Sequence, residues 1–519
     1  MKEKENLDKD KFNNPAKSSP QVGGKGKRKK SKEKGKFAKG LGIVLMILHL
    51  FLSGVFVTTL MSIDLLPIKY LAIVILLLLV IWVITFATQK RHKRRAIPGK
   101  IWSLFWIIVL AIGSFYVGKM DNAFDKVTSG TEKVNSIIVV VKNDDAAETI
   151  EDAKDYKFGT QFAVGGTDIQ EAIDQINSIV GKEIEVSEFE NMQGMAEALF
   201  DGTVDAMIYN EGYNGLIEEL FEDYESKIKV IHRHSKTVQI ETVTPEPETQ
   251  VSILDETFSV YISGIDVYGP ITTNSRSDVN IIATVNPSTR QVLLTTTPRD
   301  YYVPIPGVSN GQKDKLTHAG IYGVDASMAT LSNLYETSIP YYARVNFTYI
   351  IEIVDHLGGV DVYSEYSFSN SGVSVQKGMN HLNGKQALAF ARERYKLPGG
   401  DNQRGKNQQA VIVGIINKLI SPAILTKASG IIDSVSGNVQ TNMPQDLIQA
   451  LIKMQLNGGG SWNIYSVAAT GTGGKSTTYS MPGFYAYVMH PNMDSVNNII
   501  ELMNRVEDGE KIEGSVIAQ

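Results

Sequence analysis

The sequence predicts a membrane-anchored α/β protein, and three observations carry that expectation. Three uncharged apolar runs follow one another near the N-terminus: Gly40–Ile63, Tyr70–Gln89 and Ile101–Gly118. Beyond them, short β-branched runs alternate with amphipathic stretches, the pattern of strands exchanging with helices. A Pro- and Thr-rich stretch, ETVTPEPETQ (Glu241–Gln250), then divides that alternation in two.

Residues 1–39 are polar and strongly basic, ending in GKGKRKKSKEKGKFAKG, and lack apolar periodicity. They read as a disordered cytoplasmic tail. No folded nucleic-acid reader accompanies them, so no nucleic acid is expected as a partner, and contact with anionic membrane lipid is the better reading. Residues 40–119 hold the three apolar runs, each about long enough to cross a hydrocarbon core as a helix. A single such run would fit a buried soluble helix; three in series do not. The first is too long for a cleavable signal and more spans follow it.

The loop KRHKRRAIPGK between the second and third runs is basic like the tail, whereas SIDLLPIK between the first and second has a single Lys. The positive-inside rule therefore puts the tail and second loop in the cytoplasm, and roughly 400 residues after Lys119 outside. Asp121–Lys133 reads as a polar neck. The net charge of −5 is mild and names no partner. There are 0 Cys, so no disulfide holds the outer part, which suits a Gram-positive cell surface.

A first outer domain is expected over residues 134–242. SIIVVVK (Ser136–Lys142) is a buried-strand pattern. Strand, Gly-rich turn and helix follow, then EIEVSEFE as a strand, then ALFDGTVDAMIYN as helix, turn and strand. A spacer or protein-contact role fits this domain best. After a linker at 243–252, a second α/β domain runs over 253–519. Its strands are Thr257–Asp266, Val279–Val285 and Gln291–Thr297, the last two joined by NPSTR as a hairpin. Asp325–Tyr335 and Thr348–Leu357 read as helices, YYARVNF and GGVDVY as strands, Pro444–Leu456 as a helix and SWNIYSVAA as a strand. A C-terminal helix ends the chain.

The most charged stretch of this domain is LNGKQALAFARERYKLPGGDNQRGKNQQ (Leu382–Gln409). Asn383–Ala391 reads as helix, and Pro398-Gly399-Gly400 breaks it. Asp401 is placed to cap a second helix on which Arg404 and Gln408 share a face. Arg392, Arg394, Arg404 and Gln408 would thus meet around a turn, which suits a phosphate or pyrophosphate because guanidinium offers a planar fork of donors that keeps its charge. Alone, the stretch equally fits a solvated, salt-bridged surface. Other charged residues fall at strand ends: Asp266, Arg276 and Asp278, Arg299 and Asp300, Lys315 and His318. Ligand sites of open α/β sheets form there. Carboxylates there can hold a divalent cation such as Mg²⁺, and arginines can neutralise phosphate oxygens.

These motifs together resemble the LytR-CpsA-Psr family of cell-wall phosphotransferases. The matching segments are SGID (Ser263–Asp266), RSD (Arg276–Asp278), TPRD (Thr297–Asp300), KLTHAG (Lys315–Gly320), YYARVNF (Tyr341–Phe347), LGGVDV (Leu357–Val362), LNGKQALAFARER (Leu382–Arg394) and GDNQR with Gln408, over about residues 255–425. The resemblance implies an α/β catalytic domain with a mixed central sheet and surrounding helices. With three spans and an accessory outer domain, the chain looks like the capsule-associated branch.

The function implied is transfer of a polyprenyl-pyrophosphate-linked polysaccharide, with its phosphate, to peptidoglycan at the outer face of the cell membrane, with capsule polymerisation or export proteins as further partners. By motif match Asp266 and Asp278 would be the Mg²⁺ (or other divalent cation) ligands. Arg276, Arg299, Lys315, Arg392, Arg394, Arg404 and Gln408 would bind pyrophosphate, and Arg299 and Asp401 would be catalytic. Asp401 fits a base and a helix cap equally. Many members have an Arg just before the Gln; this chain has Asn407 after Lys406, and neither Lys396 nor Lys406 is placed in the site. Ala410–Ile420 reads as core rather than as the family's prenyl tunnel. A regulator, sensor or scaffold of capsule synthesis is the alternative, because members have carried transcriptional-regulator labels.

Overall fold

The computed structural model describes residues 25–89, 97–128, 132–162, 166–221, 223–240, 254, 256–265, 271–347, 350–370, 372–393, 395–398, 401–419, 438–458 and 460–512. Among the anticipated features, residues 1–24, the linker 243–252, Asp266 and Arg394 lie outside these.

The anchor consists of α1 (Lys25–Ile63), α2 (Ile68–Gln89) and α3 (Ile97–Thr128). Their apolar parts are Gly40–Ile63, Ile68–Gln89 and Ile97–Asn122, of 24, 22 and 26 residues. At about 1.5 Å per residue each exceeds the ~30 Å of a hydrocarbon core. Polar side chains inside them turn back on the helix: Ser53 Oγ donates to His49 O at 2.8 Å and Thr85 Oγ1 to Ile81 O at 3.0 Å. One expectation changes. Lys25–Lys39 is helical rather than disordered, because a helix already nucleated by an apolar span extends cheaply through Lys-rich sequence. Within the polar neck, α3 continues to Thr128 and a strand begins at Glu132.

The first outer domain is built on β1 (Glu132–Lys142), β2 (Lys157–Thr160), β3 (Glu185–Glu188), β4 (Ala206–Asn210) and β5 (Ile228–Gln239), in the order β3-β2-β4-β1-β5. β1 runs antiparallel to both β4 and β5, and β2 parallel to β3 and β4. The unbroken apolar run of β1 has a physical cause, because both its faces are covered. Ile137, Val139 and Val141 pack against α4 (Gly166–Val180). Ile138 and Val140 pack against α5 (Met192–Asp201) and the seven-residue α6 (Asn214–Leu220), which a short α7 (Tyr224–Lys227) follows. Each fully buried Ile or Val stabilises the sheet by roughly 1.5–3 kcal/mol.

The second domain follows. Its first strands are β6 (Phe258–Ile265), β7 (Val279–Asn286), β8 (Gln291–Thr297), β9 (Tyr302–Pro304), β10 (Lys313–Lys315) and β11 (Tyr341–Asn346), with α8 (Leu316–Tyr322) and α9 (Val324–Tyr335) before β11. Then come α10 (Ile350–His356), β12 (Val360–Ser364), β13 (Phe368–Asn370), β14 (Val373–Val375), β15 (Gly378–Leu382), α11 (Gly384–Arg392) and α12 (Asp401–Leu419). The chain closes with β16 (Val439–Thr441), α13 (Gln445–Gly458), β17 (Asn463–Ala468), β18 (Gly471–Thr478), β19 (Met481–Pro491) and α14 (Met493–Glu507).

The central sheet is mixed, in the order β16-β11-β6-β7-β8-β17, with β11 and β6 parallel, β6–β7–β8 antiparallel, and β8 and β17 parallel. Alternation along the strands sends Val260 and Ile262 to one face, against α10, α11 and α12, and Tyr261 to the other, against α9 and α14. Val411, Ile412 and Ile415 of α12 are core, as expected. Asn383 caps α11 through a reciprocal capping box with Gln386. β18 and β19 form a hairpin across a stretch to which the sequence reading assigns no element.

The two outer domains are joined closely. Val134 bridges Thr273 in parallel, Lys133 Nζ lies 2.8 Å from Asp325, and Gln440 Nε2 donates to Glu132 O at 2.7 Å. Ile321 and Met481 of the second domain bury themselves in the core of the first.

Candidate active site

One cavity of about 860 Å³ collects the motif residues from separate elements. Arg276 comes from the loop before β7, Arg299 and Asp300 from the end of β8, Lys315 from the end of β10, and Arg404 from the first turns of α12. Each position is held from behind. The fully buried Arg344 on β11 donates to Ile271 O at 3.0 Å, Thr273 O at 2.9 Å and Ser275 Oγ at 3.3 Å, fixing the loop that presents Arg276. Gly320 lets α8 lie flat on that loop, because a Cβ there would stand 2.5 Å from Ser275 O.

Asp278 lies behind the cations. It is buried and ion-paired with Arg299, and Arg404 Nη2 lies 4.0 Å from its second oxygen. Burial pushes its carboxyl up, but Arg299, Arg276 and Arg404 more than reverse this and hold it below the ordinary range. Lys315 reaches Asp300 at 3.5 Å. Among the described residues, no three His, Asp or Glu side chains converge as a ready-made metal cage. Asp278 nevertheless offers hard oxygen ligands at the cationic wall, which fits an ion such as Mg²⁺ that takes few carboxylates and keeps its waters.

A carboxylate absent from the expected set sits among these cations. Glu219 on α6 belongs to the first outer domain. Its Oε1 is 2.5 Å from Arg276 Nη1 and 3.4 Å from Arg299 Nη2, and its Oε2 is 3.2 Å from Lys315 Nζ. Burial raises its carboxyl, yet Arg276, Lys315 and Arg299 bring it down to about 2. Opposite, the β18–β19 hairpin lines the mouth with Lys475, Phe484, Tyr485 and Tyr487, and Tyr395 stands nearby.

Of the anticipated residues, Arg276, Arg299, Lys315 and Arg404 line the cavity, with Asp278 behind them. Gln408 follows on α12, buried, its Oε1 without a hydrogen-bond partner among the described residues. Arg392 is a correction: it ends α11 exposed and does not line the cavity, because the helix turns its apolar Ala387, Phe390 and Ala391 to the core instead. Asp401 is the first residue of α12. Lys406 pairs with Glu365 at 2.9 Å and Lys396 Nζ donates to Ser369 O at 2.6 Å, both away from the cavity, as expected. Asn407 donates to Phe390 O at 3.0 Å and so ties α12 to α11.

His318 is a core residue, fully buried, with Nδ1 2.6 Å from Asp314 Oδ1. Asp314 also accepts from Ser480 N at 2.9 Å, and Ser480 meets Tyr322, which meets Tyr213 of the first domain. This buried chain fastens both domains and the hairpin beneath the cavity.

A LytR_cpsA_psr family model matches residues 224–501, more than half of the chain. The chain belongs to the LytR-CpsA-Psr family. It is 37% identical over 210 residues to the polyisoprenyl-teichoic acid–peptidoglycan teichoic acid transferase TagU of Enterococcus faecalis, covering 40% of this chain and 68% of that protein. It is 35% identical over 228 residues to the transferase of the same name from Bacillus anthracis, covering 44% and 73%. The crystal structure of B. subtilis TagV aligns with 26% identity and a TM-score of 0.42, over 50% of this chain and 99% of that one.

The LytR-CpsA-Psr match starts at residue 224, so α6 and Glu219 lie outside it. This is one reason sequence reading missed Glu219; nothing local marks NGLIEEL as more than a solvated helix. Tyr485 and Tyr487 did carry a signal, the alternation in FYAYV, in which Ala486 and Val488 face inward.

Proposed function

We propose that this chain is a membrane-anchored phosphotransferase that moves a polyprenyl-pyrophosphate-linked glycopolymer onto peptidoglycan at the outer membrane face. The observation supporting it is the convergence of Arg276, Arg299, Lys315 and Arg404 on one cavity, with Asp278 behind them. Two relatives carry names for that transfer with teichoic acid as the polymer. The finer proposal here is capsular polysaccharide, because three spans and an accessory outer domain together resemble the capsule-associated branch. The basic flanks of the spans support an outward-facing cavity.

In this reading a peptidoglycan hydroxyl oxygen attacks the phosphorus that carries the polymer. A new phosphorus–oxygen bond forms, the bond to the bridging oxygen breaks, and polyprenyl phosphate leaves. Arg299 and Arg404 meet the growing charge on the equatorial and bridging oxygens, and Arg276 and Lys315 orient the diphosphate. Their separate backbone origins fix four donors before substrate arrives, so little reorganisation is needed in the transition state. Asp401, at the start of α12, is the proposed acceptor of the hydroxyl proton. Asp278, with Asp266, would hold Mg²⁺, which would supply further neutralisation of the phosphate oxygens.

The test is incubation of the purified full chain in detergent with a prenyl-pyrophosphoryl saccharide, Mg²⁺ and peptidoglycan oligomers, followed by mass analysis. A phosphodiester-linked adduct with release of prenyl monophosphate is expected. Prenyl pyrophosphate as the lipid product, or no adduct from any donor, would overturn the reading.

A further inference from the structure

Glu219 occupies the position that the proposed function reserves for a phosphate. Its two oxygens are shared among cations from three separate segments of the second domain: Arg276 at 2.5 Å, Arg299 at 3.4 Å and Lys315 at 3.2 Å. A phosphate oxygen pair would make the same contacts. Arg299 and Lys315 each keep a second acid, Asp278 and Asp300 respectively. Glu219 is thus the extra anion, and it comes from the other domain.

The fit of α6 against the site is close in a way the ion pairs alone do not require. Gly215, one turn before Glu219, touches the Arg276 guanidinium: a Cβ there would stand 2.5–2.6 Å from Arg276 Nε, Cζ and Nη2. The guanidinium therefore lies along bare backbone and meets the carboxylate at the end of the same short helix. Gly212 also fits closely, though less tightly, since a Cβ there would be 3.1 Å from Ile321 and 3.2 Å from Asn274 O. Residues 212–219 are shaped to the rim of the cavity, although the helix itself has only seven residues.

We propose that Glu219 is an intramolecular plug, a carboxylate of the first outer domain that holds the phosphate-binding cations until an incoming pyrophosphate displaces it. The proposal rests on the reading of the cavity as a phosphate site and adds its regulation. Displacement exchanges one anion for a more highly charged one. The cations stay compensated throughout, so the empty enzyme avoids leaving Arg276 without its acid and Arg299 and Lys315 with one acid each in a half-buried pocket. It also couples the site to the first domain, because Glu219 is carried on α6, whose Gly215 lies against the Arg276 guanidinium. A contact that draws α6 away would raise affinity for the diphosphate, and by reciprocity diphosphate would favour that contact.

The test uses the full chain in detergent micelles with inorganic pyrophosphate, free of divalent cations, read by calorimetry. Glu219→Gln, which keeps shape and removes charge, is expected to bind about tenfold more tightly than wild type, the size of one ordinary coupling. Arg299→Gln should lose binding. Hydrogen exchange supplies a second measurement that needs no variant at residue 219: saturating pyrophosphate should speed exchange of residues 211–221 in the wild-type chain. Equal or weaker binding by a folded Glu219→Gln, or unchanged or slower exchange at 211–221, would overturn the plug while leaving the phosphate site standing. Absence of pyrophosphate binding by wild type and Glu219→Gln alike would remove both.

Discussion

Arg299 donates through Nη1 to Asp278 Oδ1, joining the end of β8 to the start of β7 across 21 positions of chain. The pair is buried, and Arg404 approaches the second oxygen of the same carboxylate. Asp278 therefore sets the spacing of two arginines while its own charge is compensated.

Substitution of Arg299 separates charge from geometry. Arg299→Lys keeps a cation for Asp278 but loses the planar fork, so transfer is expected to fall roughly 10²-fold with a folded protein. Arg299→Ala should abolish transfer and cost about 3 kcal/mol, because it strips a buried acid of its main partner. Both variants should still enter the membrane, since the spans are far from this site in sequence. Wild-type amounts of wall-linked polymer in cells carrying Arg299→Ala would exclude the assigned role.

Acid stability follows from the depressed carboxyls. Glu219 falls to about 2 from an ordinary 4.5, and Asp278 lies below its ordinary 3.8. A carboxyl whose folded value is depressed contributes stability that is complete above its ordinary value and is lost as pH falls toward the folded one. The melting temperature should therefore drop steeply from about pH 4.5 to pH 2. Glu219→Gln should flatten that drop. Scanning calorimetry across the range checks it, and parallel curves would refute it.

Arg344 makes a different prediction, because among the described residues it pairs with no acid and it is not among those lining the candidate active-site cavity. Burial lowers its guanidinium to about 10, and its hydrogen bonds go to the loop preceding Arg276. Arg344→Ala leaves buried carbonyls unpaired and should destabilise the chain by about 3 kcal/mol. Arg344→Lys should fold better yet raise KM several-fold, by loosening the Arg276 loop, with a smaller change in kcat. Equal losses in both parameters would argue against a positioning role.

Orientation is directly measurable, because the chain has 0 Cys. Lys475→Cys, on the exposed hairpin, should react with a membrane-impermeant maleimide in intact cells. Lys30→Cys should react only after lysis. The reverse pattern would put the cavity in the cytoplasm and end the transferase proposal.

The chemistry of the cavity was readable in part. Arg276, Arg299, Lys315 and Arg404 stand at strand or helix ends, and ends are visible in sequence as Pro, Gly and changes of period. Arg392 is expected in the site from the motif LNGKQALAFARER and from its place at a helix end beside the turn; its direction depends on how α11 rolls onto the core, which spacing alone does not settle. The hairpin β18–β19 is not among the elements expected from the sequence, because Gly471, Gly473 and Gly474 dilute its β propensity.

By itself, the sequence determined the elements whose cause is local. Three long uncharged runs in series mark helices long and apolar enough to cross a membrane, the short apolar run of β1 fits a strand covered on both sides, and Asn383 with Gln386 three residues on marks the start of α11. The tertiary structure alone decided that a carboxylate 57, 80 and 96 positions upstream of Arg276, Arg299 and Lys315 would stand among them. Pairing over such distances leaves no periodicity in the chain. It arises when two separately ordered domains bury complementary surfaces, and the ion pairs are strong only because docking removes water from around them.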